Sequence, residues 1–193
     1  DTATTEIYTV LHTLSLHDAL PICRAASWLQ QRPEVDPARI GLVGISLGAI
    51  TGGLVIGVDP RFRRNVLVLG GGDPAGILWY AHETREVRRH FERRGYTLDR
   101  LRDATRDIDS LHFAKRVDSQ SVLFIAARND ETVPRENTLR LWQAMGKPAL
   151  QWLDAGHNTA ALYIPLVLPL THRFICSGTA AANPPNGPEQ RAK

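Results

Sequence analysis

Ile40-Gly41-Leu42-Val43-Gly44-Ile45-Ser46-Leu47-Gly48-Ala49-Ile50 is the stretch that decides how this chain is read. Its first half, Ile40 to Ile45, is a short unbroken apolar run, which predicts a strand buried on both faces of a parallel sheet. Its second half continues in apolar and small residues to about Ile56, before a turn at Asp59-Pro60. That pattern predicts a helix over roughly 47–56. Between the two lies the pentapeptide Gly44-Ile45-Ser46-Leu47-Gly48, of the form Gly-x-Ser-x-Gly. Alone it is a weak pattern, met by chance around ordinary loop serines. Placed between a strand and a helix it predicts a nucleophile elbow, a tight turn that lifts the Ser46 hydroxyl above the sheet. The serine of such a turn holds a strained backbone conformation. Gly44 and Gly48 would leave room at the crossing. The Leu47 N–H and the helix dipole would face a developing oxyanion.

The strand–helix alternation extends outward from there. Arg24 to Gln31 predicts a helix with Ala25, Trp28 and Leu29 on one side, ended by Pro33 and Pro37. Asn65 to Leu69, Ser121 to Ala126 and Ala149 to Leu153 are further short apolar runs and predict strands. Between Pro74 and Val117 no strand pattern occurs; spaced apolar residues there predict two or three amphipathic helices. Thr138 to Met145 predicts a helix stopped by Gly146, and Thr159 to Phe174 a last helix with breaks at Pro165 and Pro169. Four strands alternating with helices predict an α/β fold around a parallel sheet.

A serine hydroxyl needs a base to act as a nucleophile at neutral pH, and the base needs an orienting carboxylate. Asp130, in Arg128-Asn129-Asp130-Glu131-Thr132-Val133-Pro134, follows the third strand. His157, in Asp154-Ala155-Gly156-His157-Asn158, follows the fourth. Both therefore fall at the C-terminal ends of strands, the edge where parallel sheets gather their sites. Asp73, after the second strand, is a weaker alternative for the acid. The histidines form no metal-ligand spacing, and residues 41–48 lack the order of a nucleotide-phosphate loop.

With these three motifs in this order, residues 24 to 176 resemble the C-terminal part of an α/β-hydrolase. The resemblance is to serine esterases of the dienelactone hydrolase and prolyl oligopeptidase type. It implies a partial α/β-hydrolase fold of about four parallel strands flanked by helices. It also implies Ser46 as nucleophile, Asp130 as acid, His157 as base and Leu47 as an oxyanion-hole donor, with no cofactor and no metal. The segment from about 74 to 117 would be a helical cap over the acyl pocket, with Ile77, Trp79 and Tyr80 as candidate lining. The implied reaction is hydrolysis of a small carboxylic ester; a serine peptidase is the less favoured variant, there being no visible propeller or peptide anchor.

Composition is compatible with such a domain. The 193 residues are 43% hydrophobic and 22% charged, with a net charge of +3, which excludes a strongly charged disordered chain. Arginines between Arg85 and Arg116 alternate with acids, the pattern of a solvated helix face rather than a nucleic-acid surface. No run approaches 18 consecutive apolar residues, so no membrane span is expected. Two distant cysteines, Cys23 and Cys176, predict free thiols in a reducing, cytoplasmic setting. Residues 1–22 read poorly, and Leu14 to Ile22 resembles translated sequencing adapter; a hydrolase domain is expected over 23–176 and a disordered tail over 177–193. Residues 1–45 hold no His-Gly pair for a second oxyanion donor and are too few for the half-sheet that precedes the elbow in the family. Two readings follow: an ester hydrolase, or a truncated chain that carries the triad without a working site. In either, the open edge of the first strand invites self-association.

Overall fold

A computed structural model of the chain describes residues 19–177. The expectations for the rest of the N-terminal segment and for the tail lie outside the described residues.

The architecture is α/β, as expected: one sheet of four parallel strands in the order β1-β2-β3-β4. These are β1 (Gly41–Ile45), β2 (Arg64–Val68), β3 (Val122–Ala127) and β4 (Ala149–Leu153). Val43 pairs with Val66, Val66 with Leu123, and Ile125 with Gln151. Because side chains alternate along each strand, Leu42, Leu67, Phe124 and Leu150 point to one face. There they pack with helix α1 (residues 19–29), α2 (Leu47–Val58) and α6 (Arg135–Ala144). Val66, Val68, Leu123, Ile125 and Leu153 point to the other face, under α7 (Ile164–Ser177).

Several expectations are corrected in detail. Helix α1 turns Ala19, Ile22, Cys23, Ala26 and Leu29 inward, while Ala25 is exposed and Trp28 is 59% exposed beside the Arg32 guanidinium. Among the described residues strand β1 is buried on one face only: Val43 and Ile45 are 50% and 62% exposed, and β1 is an edge of the sheet. The segment expected as the last helix is a 3₁₀ turn, Thr159–Tyr163, followed by α7, so a break falls just before Pro165, which sits in the first turn of α7 where no intrahelical partner is needed; Pro169 lies inside α7 and does not break it. Residues 159–177 are helical, apolar and long enough to cross a membrane by length and composition, unlike the expectation from unbroken runs. Here Leu170 and Phe174 are buried against the sheet.

At the β1–α2 crossing the two glycines differ. A Cβ on Gly44 would lie 2.2 Å from the Gly48 carbonyl oxygen, whereas a Cβ on Gly48 would meet nothing within 4 Å. Only Gly44 is required by the close approach, which corrects the expectation for Gly48.

Residues 74–117 hold three helices, α3 (Pro74–Tyr80), α4 (Arg85–Arg93) and α5 (Leu98–Thr105), followed by short 3₁₀ turns. They carry a small core of their own from Ala75, Phe91, Tyr96 and Leu101. Asp73 fastens this insertion to the body. Its carboxylate accepts from the Gly76 N–H at 3.0 Å and from Arg102 Nη2 at 2.8 Å, and it pairs with Arg140 of α6. Arg102 is thus an anchor, not part of a solvated face. Burial works to raise the Asp73 pKa; the Arg102 hydrogen bonds, the Gly76 N–H and the two guanidinium charges outweigh it and hold the carboxyl below its usual range.

Gly44→Ala is expected to cost about 4 kcal/mol or to prevent folding, while Gly48→Ala is neutral or up to about 1 kcal/mol stabilising, because alanine is the better helix former. Urea unfolding of the two variants checks both. Asp73→Asn is expected to cost about 2 kcal/mol at pH 7. A lowered carboxyl pKa contributes stability above the unfolded value of about 3.9 and loses it as pH falls through the folded value. The difference between wild type and Asp73→Asn therefore shrinks below about pH 4, read from unfolding curves at pH 7, 5 and 3.

Candidate active site

Ser46 sits between β1 and α2 with φ 54° and ψ −118°, a region non-glycine residues rarely enter. The conformation is held from both sides. The Ser46 N–H donates to the Val68 carbonyl at 2.8 Å, extending the ladder to β2 by one rung. The Ser46 carbonyl accepts from the Ala49 and Ile50 N–H groups at 2.9 and 3.0 Å, starting α2. The Leu47 N–H is the first of that helix, where intrahelical geometry offers no acceptor.

Asp130 and His157 arrive from the ends of β3 and β4. The two loops are laced together: the Arg128 N–H donates to Leu153 O and the Asn129 N–H to Ala155 O, both at 3.0 Å. The Gly156 N–H donates to the Thr159 hydroxyl at 2.8 Å, closing the turn that presents His157. Ser46 Oγ lies 2.8 Å from His157 Nε2, and His157 Nδ1 lies 2.9 Å from each Asp130 oxygen. Asp130 Oδ1 also accepts from the Thr132 N–H at 3.0 Å and the Val133 N–H at 2.7 Å. The carboxylate is therefore ringed by donors while its side chain is only 3% exposed, so its charge is compensated where water is largely excluded.

All three residues singled out in the sequence meet in one hydrogen-bonded chain, and Asp73 does not join it. Thr132 and Val133 were not singled out there. An Asp two and three residues ahead of free N–H groups is an Asx-turn pattern, and that was the available signal. Asp109 has a similar structural role elsewhere: its Oδ1 accepts from the Leu111 and Asp73 N–H groups, and burial raises its pKa. Cys23 is no second nucleophile of note, since burial and then its contact with Asp59 raise the thiol pKa.

Beside His157 is a pocket of about 230 Å³, bounded by the His157 loop, by Asn129, Glu131 and Thr132, and by Glu83 of the insertion. Ile77, Trp79 and Tyr80 do not line it; Trp79 packs into the insertion's own core and Tyr80 is exposed. The Thr132 hydroxyl donates to Glu83 Oε1 at 2.6 Å. That bond first, and a backbone hydrogen bond second, hold the Glu83 carboxyl below its usual range.

Such a Ser–His–carboxylate chain, with a helix N–H beside the serine, can activate a hydroxyl for attack on a carbonyl and receive the resulting negative charge. Comparison with known proteins agrees in fold. An acetyl xylan esterase from Thermoanaerobacterium sp. superposes with a TM-score of 0.68 at 20% identity, covering 82% of this chain and 52% of that one. A puromycin-hydrolyzing peptidase of Mycobacterium tuberculosis superposes with a TM-score of 0.67 at 23% identity, covering 88% and 26%. These likenesses identify the sheet and its helices as part of an α/β-hydrolase fold. In sequence, uncharacterized proteins from two Mycobacterium tuberculosis strains are 30% identical over 138 residues, which are 71% of this chain and 32% of theirs. The chain thus spans about a third of the length of the curated relatives it matches. The sequence pattern of the Prolyl oligopeptidase family matches residues 15–162, a span that runs from before α1 through the Ser46, Asp130 and His157 loops, and the chain belongs to that family.

Proposed function

We propose that the chain is a serine hydrolase that cleaves a small carboxylic ester through Ser46, His157 and Asp130. The observation that carries this reading is the continuous hydrogen-bonded chain from Ser46 Oγ through the imidazole to Asp130. Asp130 accepts from Nδ1–H and so fixes the tautomer in which Nε2 bears the lone pair. Nε2 takes the Ser46 proton as Oγ bonds to the ester carbonyl carbon, and the C=O electron pair moves onto the oxygen. The Leu47 N–H donates to that oxyanion; a donor of this kind is worth roughly 10²–10³ in rate. The tetrahedral intermediate collapses with loss of the alkoxide, which receives the proton from Nε2–H. Water, deprotonated by the same nitrogen, then releases the acid and returns Ser46 to its starting form. The insertion over residues 74–117 serves in this reading as the cap.

The family match gives a specific reason to keep amide cleavage as the second reading. The two are separated by rates on p-nitrophenyl acetate and on an aminoacyl p-nitroanilide: the ester reading expects the acetate to be turned over and the anilide to be spared.

Ser46→Ala is expected to abolish both labelling by a fluorophosphonate probe and p-nitrophenyl acetate hydrolysis. Asp130→Asn should lower kcat by about 10⁴ with the fold intact. A folded wild-type chain that the probe leaves unlabelled overturns the hydrolase reading in favour of a chain that holds the triad without a working site.

The pocket against His157 lies beside the loops that follow β3 and β4. Its lining includes two carboxylates, Glu83 and Glu131, and no lysine or arginine. Thioesters of one acyl group should therefore be ranked by the charge of their thiol. Acetylthiocholine is expected to show kcat/KM roughly tenfold above S-acetyl thioglycolate at low salt, with the ratio falling in 0.5 M salt as the field is screened. Released thiol gives the readout.

A further inference from the structure

Glu83 lies outside the three loops that carry the triad, in the turn between α3 and α4, yet its carboxylate is bonded to the acid loop. The Thr132 hydroxyl that donates to Glu83 Oε1 belongs to the same residue whose N–H donates to Asp130 Oδ1. The neighbouring His82 N–H reaches the Glu131 carbonyl at 3.4 Å. Holding the Thr132 side chain limits how far that residue can move, and its N–H is one of the two backbone donors that aim Asp130 at His157 Nδ1.

The turn bearing Glu83 is itself held in place. The Thr84 hydroxyl donates to the Leu78 carbonyl at 2.7 Å and to the Ala81 carbonyl at 3.1 Å, and the Ala81 N–H donates to Ile77 O at 2.9 Å. Upstream, α3 starts on the Asp73 side chain, which Arg102 and Arg140 clamp to the body. An unbroken series of contacts therefore runs from the end of β2, through the insertion, to the acid loop.

We infer that Glu83 is a positioning residue for Asp130, acting through Thr132, so that the helical insertion takes part in setting the triad geometry and does not only cover it. This inference rests on the triad reading above. Because the bond needs an acceptor and not a charge, glutamine at position 83 can replace glutamate, and alanine cannot. The same logic assigns the effect to kcat, since the acid loop acts on the reacting imidazole and not on binding.

The test is a double-mutant cycle of Glu83→Ala and Thr132→Val in the full chain, with Glu83→Gln as the conservative variant. Hydrolysis of p-nitrophenyl acetate is followed alongside the low-field proton NMR signal of the His157–Asp130 hydrogen bond. Glu83→Ala and Thr132→Val should each lower kcat about tenfold with KM little changed, and the double variant should be no worse than either single one. Glu83→Gln should recover most of the kcat lost in Glu83→Ala. The low-field signal should shift or broaden in Glu83→Ala and be restored in Glu83→Gln. Additive losses, a Glu83→Gln variant as impaired as Glu83→Ala, or an unmoved NMR signal would each overturn the inference. A wild type with no hydrolysis but this NMR pattern would count against the ester-hydrolase reading and for the positioning role.

Discussion

The close approach of β1 and α2 is the constraint on which the rest of this molecule depends. Where Gly44 passes the Gly48 carbonyl there is no room for a side chain. The chain must reverse within one residue, and Ser46 takes φ 54° to do so. A non-glycine residue in a sparsely populated region costs on the order of 1–3 kcal/mol. Such a conformation persists only where its surroundings over-determine it. Here the Val68 carbonyl takes the N–H on one side, and the first turn of α2 takes the carbonyl on the other. The strain is thereby converted into a fixed direction for Oγ, 2.8 Å from an imidazole nitrogen.

Asp130 shows how a charge can be kept in a dry place. With its side chain almost fully buried, it would be costly unless its lone pairs were met. The Thr132 and Val133 N–H groups and the imidazole N–H meet them. Asp73 solves the same problem with guanidinium groups and the Gly76 N–H. The two acids lie at the ends of adjacent strands and have different work. One orients an imidazole; the other joins the insertion to the body.

Much of this was legible in the sequence because it is local. The apolar runs mark all four strands to within a residue at either end, and β4 at both ends. The elbow, the acid loop and the histidine loop are contiguous motifs whose order follows the strands. What was not legible is pairwise and distant. Nothing local says that Arg102 of a charged helix reaches Asp73, or that Glu83 meets Thr132 across 49 residues. The inward face of helix α1 is only partly legible because three of its five inward residues, Ala19, Cys23 and Ala26, are small, while Trp28, the largest apolar side chain in the segment, lies outside under Arg32. Burial on both faces of β1 was inferred from an apolar run, which records the composition of a strand and not how many neighbours it has.

That last point bears on how the site is held together. The strained serine sits at the end of an edge strand, so the sheet restrains it from the β2 side only among the described residues. The remaining restraint must come from α2. Ala49, Leu54, Val55 and Ile56 of that helix are buried against Leu42 and Leu67. Burying a large aliphatic side chain contributes about 1.5–3 kcal/mol, so two or three of them suffice to outweigh the backbone strain at Ser46. Ser46 is therefore fixed chiefly by the packing of the helix that follows it, and less by the ladder of the strand that precedes it. A cavity made beneath α2 would loosen Ser46 before it loosened Asp130 or His157, whose loops follow β3 and β4 on the other side of the sheet and are laced to each other.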